Sequence, residues 1–195
     1  MSRRGWRTPV LGAAVFRVWQ ADALRKLDWM SEFLPSSGPL LEVGSGPGSL
    51  LRALRSAGYS TVGLDVRDDA FEEALRPILY DGGPFPFEDD HFAASVVATT
   101  LHHAHRPVHV LKEAARVAPR VLVIEDIYRT AAQRKLTKIV DSLVNLEFRG
   151  HPHHNQSDQG WRSTFAELGL ELVHTSQRPF AGAFLQALYV LERSP

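Results

Sequence analysis

Leu40-Leu41-Glu42-Val43-Gly44-Ser45-Gly46-Pro47-Gly48-Ser49-Leu50 is a short apolar run, a turn with three glycines, and the start of a segment with helical spacing. It reads as a strand, a tight turn and a helix N-terminus. Glycine lacks a Cβ and tolerates positive φ, so such a turn lets a backbone pass close to a ligand. The helix N-terminus then points unsatisfied N–H groups at whatever lies over it.

The same alternation continues on both sides of this loop. Apolar residues Phe16, Trp19, Ala23, Leu27, Met30 and Leu34 recur at steps of three and four, which predicts an amphipathic helix over 13–34. Strands are expected at 40–43, 61–66, 78–80, 94–99 and 121–125. Between them lie helical faces: Leu50, Leu51, Leu54 and Ala57, closed by Gly58, and Val108, Leu111, Ala115 and Ala118, opened by Pro107. A short helix around Phe71, Ala74 and Leu75 would be capped by Asp68 or Asp69. Another helix is expected over 131–144, and one over 158–168 with Trp161, Phe165 and Leu168 on one face. The runs 170–174 and 183–191 have no helix between them and predict an antiparallel hairpin. Strand–helix alternation implies a doubly wound α/β fold. The expectation is a Rossmann-like, seven-stranded, mostly parallel sheet with helices on both faces and a C-terminal antiparallel β-hairpin. A single domain is expected over 1–195, with 1–37 as a helical cap and 38–192 as the core.

Bulk properties exclude several classes. The 195 residues carry 22 basic and 22 acidic side chains, so there is no overall positive charge to hold nucleic acid. Cysteine is absent, which removes disulfides, thiolate nucleophiles and cysteine-ligated zinc, and fits a reducing compartment. No apolar run is long enough to span a membrane, and no secretory signal is read at the N-terminus. A cytoplasmic protein is expected. Arg3, Arg4 and Arg7 with the two tryptophans of the first helix would also suit a membrane surface, but a helix packed on the sheet is the simpler reading.

In a doubly wound sheet the ligand lies beyond the carboxyl ends of the strands, next to strand one. Here the glycines fall at 44, 46 and 48, and position 49 is Ser, so the spacing is not that of a dinucleotide site. No Lys-Ser/Thr follows, so it is not a phosphate-binding P-loop either. Glu42 would repel a pyrophosphate and attract a cation.

Leu41-Glu42-Val43-Gly44-Ser45-Gly46-Pro47-Gly48 resembles the first motif of class I S-adenosylmethionine-dependent methyltransferases, in particular the small-molecule enzymes of the type 11 kind. The likeness runs over roughly 38–192. Asp65 ends strand two, Asp81 follows strand three, and Phe85-Pro86-Phe87-Glu88-Asp89-Asp90-His91-Phe92 is similar to a segment of that family, with Ala93 in place of its usual acid. Thr99-Thr100-Leu101-His102-His103 follows strand four as Leu-His-His does there. Ala118-Pro119-Arg120 departs from the family's usual Pro-Gly-Gly, away from the cofactor end.

The resemblance implies S-adenosylmethionine as cofactor and S-adenosylhomocysteine as product. The residues it places around the cofactor are Glu42, Gly44, Ser45, Gly46, Gly48, Asp65, Val66, Asp81, Gly82 and Thr99. Asp65 would accept the ribose hydroxyls and Asp81 the adenine amino group, although Asp81 also opens a Gly-Gly-Pro turn where Asp is common for backbone reasons. Methyl transfer is an in-line displacement, so positioning and water exclusion come first and a base is needed only if the acceptor must lose a proton. Candidate bases are His102, His103 and His105, one of which can equally serve to fix its loop. Candidate acceptor contacts are Glu125, His151, His153, His154 and Trp161, with Asp126 beside Glu125. The histidines of 151–154 invite a metal, but adjacent side chains diverge and no second ligand pair is fixed, so no metal is assigned. A small-molecule acceptor is expected. The other readings kept open are a methyltransferase of protein or RNA, a non-catalytic partner subunit of the same fold, and a nicotinamide oxidoreductase, which the glycine spacing disfavours.

Overall fold

The computed structural model describes residues 9–128, 156–180 and 184–193. Helix α1 spans Pro9–Met30 and a 3-10 turn follows at Ser31–Phe33. The chain then forms β1 (Leu40–Val43), α2 (Ser49–Ser56), β2 (Thr61–Asp65) and β3 (Ile78–Leu79). Next come β4 (Ala94–Ala98), α3 (Pro107–Val117) and β5 (Arg120–Ile127). The last elements are α4 (Asp158–Glu167), β6 (Leu170–Phe180) and β7 (Phe184–Arg193). The helix expected over 131–144 lies outside the described residues, as do His151, His153 and His154.

The seven strands form one sheet in the order β3-β2-β1-β4-β5-β7-β6. β1 to β5 pair in parallel, and β7 pairs antiparallel with both β5 and β6. The expected fold class is therefore the observed one. β1 has β2 on one side and β4 on the other, so the strand order reverses beside the glycine loop, where such sheets bind ligands.

Strand alternation divides the core between two layers. Leu41, Val43, Val97, Val121 and Val123 face Val110, Leu111, Ala114 and Val117 of α3, together with Trp161 and Phe165 of α4. Leu40, Val96, Leu122 and Ile124 face the opposite way, toward Ala23, Trp29 and Met30 of α1 and Leu50, Ala53 and Leu54 of α2. Being buried on both faces explains why β1 and β4 read as continuous apolar runs. Leu54 is fully buried, and its loss to Ala would cost about 2–5 kcal/mol.

Local differences from the sequence reading have local causes. The helix expected near Phe71 is one 3-10 turn, Glu73–Leu75, before Pro77. Asp68 does not cap it: its Oδ1 accepts from the Ala70 N–H at 3.2 Å in an Asx turn. The hairpin strands are 11 and 10 residues long, with an irregularity between Leu172 and His174. No helix among the described residues is long and apolar enough to cross a membrane. The buried face of α1 belongs to the core, and Trp29 Nε1 donates to Ser176 Oγ at 2.9 Å.

Candidate functional site

The three glycines are required for different reasons. At Gly44 (φ 72°) a Cβ would lie 2.2 Å from Thr100 Cγ2, so this glycine lets the loop after β4 pack against the loop after β1. Thr100 Oγ1 donates to the Val43 carbonyl at 3.2 Å across the same junction. At Gly46 (φ 51°) a Cβ would meet nothing within 4 Å, which is the open cradle a ligand needs. Gly48 precedes α2 at φ 85°, and a Cβ there would strike Leu75. Ser45 Oγ, Ser49 Oγ and Glu42 Oε2 are buried around this loop with no hydrogen-bond partner. Orphaned buried polar atoms are costly, and their clustering at this loop fits a loop that binds a polar ligand.

Glu42 is 3% exposed at the end of β1. Burial first, and then the nearby Asp65, push its carboxyl up to about 8, while Lys26 and Arg55 pull the other way. Asp65 Oδ2 accepts from the Gly46 N–H at 2.8 Å, and Oδ1 accepts from the Arg67 N–H at 3.1 Å. It thus ties the glycine loop to β2. Burial raises its pKa. Val66 beside it is 52% exposed, an apolar surface next to the loop. Asp81 Oδ1 accepts from the Gly83 N–H at 2.9 Å, the backbone role expected of Asp in that turn. Gly82 takes φ 85° with open space where a Cβ would lie. Tyr80 is pushed up to about 12 by burial and then by Asp65 and Asp81.

Beyond β4 the backbone is strained. Thr99 is β-branched yet has φ 50°, a conformation costing about 1–2 kcal/mol. It is held there by its N–H donating to Ile124 O at 2.6 Å and by Thr100 on Gly44. Glu125 corrects an expectation. It was expected to meet the acceptor, but it is fully buried: Oε1 accepts from the N–H groups of Thr100 (2.8 Å) and Leu101 (2.7 Å), and Oε2 lies 2.6 Å from His102 Nδ1. The pair clasps the loop after β4. His102 is accordingly buried, which favours a loop-holding role over that of a mobile base. His103 is half-buried, its ring centroid 4.1 Å from that of His102, and His105 is exposed. Trp161 also departs from expectation: it is fully buried in the core, stacked on Phe165 at 6.2 Å.

The sequence reading did not single out Gln186, Arg25, Lys26 or Asp22. Gln186 of β7 is 1% exposed; its Nε2 donates to Asp126 Oδ1 at 2.8 Å and its Oε1 accepts from Arg25. Lys26 donates from Nζ to Thr99 Oγ1 at 3.0 Å and pairs with Asp22 Oδ2 at 2.8 Å. Lys26 lies three residues after Ala23 and four before Met30, so helical spacing alone puts it on the inner face of α1. Burial raises the pKa of Asp126. Burial also pushes Asp22 up, but Lys26 and Arg25 more than offset that and hold it below the ordinary value.

A mixed sheet with an open glycine cradle at its switch point and acids near the ends of β1 and β2 is an arrangement suited to a nucleoside that carries positive charge. Residues 41–120 match the family model described as "Methyltransferase domain". Over that stretch the chain matches a methyltransferase domain, and the cofactor such a domain takes is S-adenosylmethionine. The fold is similar to the S-adenosylmethionine-dependent methyltransferase of Methanosarcina mazei (TM-score 0.67, 15% identity, 84% of this chain and 96% of that one). Magnesium protoporphyrin IX methyltransferase of Synechocystis PCC 6803, solved with bound S-adenosylhomocysteine, has TM-score 0.66 and 17% identity over 98% of this chain and 90% of that one. A chain solved in complex with the Haloferax volcanii Trm112 methyltransferase activator has TM-score 0.64 and 18% identity over 92% of this chain and 98% of that one. No curated protein sequence matches significantly.

Proposed function

We propose that this one-domain cytoplasmic enzyme methylates a small molecule at the carboxyl end of β4 and β5. S-adenosylmethionine supplies an activated methyl on a sulfonium, so the acceptor's lone pair forms the new bond to carbon while the C–S pair returns to sulfur. The chain's own work is positioning and water exclusion. In this reading Gly44, Gly46 and Gly48 shape the cradle, and Glu42 meets the ammonium with Ser45 beside it. Asp65 accepts from the ribose, Val66 packs on the base with Asp81 and Gly82 near it, and Thr99 closes the donor side. Glu125 and His102 hold the loop so that His103 or His105 can accept a proton where the acceptor must lose one. His151, His153 and His154 are assigned to the acceptor side.

The observation that supports a small acceptor is the polar pair at the carboxyl end of β5, Asp126, half-buried, and Gln186, 1% exposed. Such a pair suits a small molecule better than a flat macromolecular surface. The test supplies donor labelled in its methyl group to metabolite extract, total RNA and total protein. Label in the low-mass fraction is expected; label only in RNA or protein overturns the proposal. The activator complex formed by one structural neighbour favours a second reading, in which transfer needs a partner chain. That reading holds if the purified chain binds S-adenosylhomocysteine but transfers methyl only after a co-purifying protein is added.

A further inference from the structure

From α1, an element outside the stretch that matches the family, we infer that Lys26 is a donor-binding residue: its ammonium takes the carboxylate of the cofactor's amino-acid moiety. The inference rests on S-adenosylmethionine being the ligand and adds a residue and a wall to its site.

Lys26 is 8% exposed, and a lysine is rarely buried so deeply without anionic or polar partners. Its Nζ bonds Thr99 Oγ1 at 3.0 Å and Asp22 Oδ2 at 2.8 Å. An ammonium has three donors, and these two partners use two of them. Thr99 directly precedes Thr100, which packs on Gly44, so the third donor stands at the end of the sheet that holds the cradle. Lys26 also acts electrostatically on Glu42 below and on Asp126 beside it.

Charge complementarity gives this cation a purpose. The cofactor carries a sulfonium, an ammonium and a carboxylate. Glu42, Asp65 and Asp126 suit the first two and would repel the third. Of the neighbouring arginines, Arg55 is committed to backbone carbonyls, while Arg25 keeps one buried nitrogen, Nη1, without a hydrogen-bond partner. Arg55 bonds the carbonyls of Thr61 and Ala74, and Arg25 bonds Asp22 and Gln186 under the Phe180 ring. Of these cations Lys26 is the one bonded to the loop after β4, through Thr99, which places it to receive the carboxylate while Glu42 receives the ammonium.

The test is titration calorimetry with two ligands on wild type, Lys26→Met and Lys26→Arg. S-adenosylhomocysteine carries the amino-acid tail; 5′-methylthioadenosine is the thioether nucleoside without it. Lys26→Met should weaken S-adenosylhomocysteine about tenfold to a hundredfold, the scale of one lost charge-assisted bond. Its affinity for 5′-methylthioadenosine should stay within about twofold of wild type, and Lys26→Arg should recover most of the tail-dependent affinity. Equal losses for both ligands would mean that Lys26 only tethers α1 to Thr99, and would overturn the inference, as would unchanged S-adenosylhomocysteine binding. Wild type binding 5′-methylthioadenosine as tightly as S-adenosylhomocysteine also overturns it while leaving the nucleoside site standing; binding of neither removes both. If Lys26→Met does not fold, Lys26→Gln is measured in its place against the same outcomes.

Discussion

Replacing Glu42 by Gln should make the protein more stable and a poorer binder of its cofactor. The carboxyl is buried, has an oxygen without a hydrogen-bond partner, and is pushed up to about 8 from an ordinary value of 4.5. Between those values the unfolded chain has released this proton and the folded chain retains it. By linkage, stability then falls as pH rises, at about 1.36 kcal/mol per pH unit. The contribution is fully present below the unfolded value and is lost as pH approaches the folded one. Glutamine cannot ionise in either state. The stability advantage of Glu42→Gln should therefore widen by about 3 to 4 kcal/mol between pH 5 and pH 8, and titrating groups that do not interact with Glu42 cancel in the comparison. Urea unfolding of both proteins at the two pH values measures it. A difference that does not change with pH, or a variant less stable than wild type at pH 8, would refute the reasoning. At pH 8, S-adenosylhomocysteine should bind at least about tenfold more weakly to the variant, because the ligand's ammonium favours the ionised Glu42 and a neutral amide cannot supply that charge.

The two glycines at the cradle should separate stability from binding. Gly44→Ala drives a methyl into Thr100 and should cost several kcal/mol in a melt or urea titration, whereas Gly46→Ala meets open space, should cost only about 1 kcal/mol of backbone strain, and should lose cofactor affinity in calorimetry. Glu125→Ala leaves His102 and the two amides of Thr100 and Leu101 without their acceptor; a loss of roughly 3–5 kcal/mol is expected by urea unfolding. Asp22→Asn removes the acid that Lys26 and Arg25 hold below its ordinary value. That acid stabilises the fold above its unfolded pKa and ceases to as pH falls through its folded one. The variant should therefore be about 1 kcal/mol less stable at pH 7, with the gap closing on acidification in paired thermal melts.

The fold was legible because its signals are local. β1 and β4 are buried on both faces and therefore mostly apolar, Pro107 marks the first turn of α3, and the absence of helical spacing between the last two runs announces the hairpin. The cradle was legible because glycine spacing and Glu42 lie within a few residues of each other. What stayed hidden was pairing at a distance. Nothing in the sequence around Glu125 says that its oxygens face the amides and His102 some 23–25 residues earlier, so a buried clasp looks like a contact on the open acceptor side. Lys26 meets Thr99 across 73 residues, and Arg25 meets Gln186 across 161. Helical spacing marks the inner face for Lys26, but only its partners show why a charge is held there. Asp68 misled in the opposite sense: it has the chemistry of a helix cap, but the chain allows only a single turn before Pro77.

The place of β7 bears on how the chain is made. It is later in sequence than β6, yet it lies between β5 and β6. On the ribosome β5 therefore remains an open edge after its own residues have emerged, and β6 has no strand to join until Phe184–Arg193 has also left the exit tunnel. The half of the sheet that seats the nucleoside can assemble early. Closure of the other half waits on the last strand, and a nascent chain stalled before it presents the apolar β5 edge to chaperones or to other copies of itself.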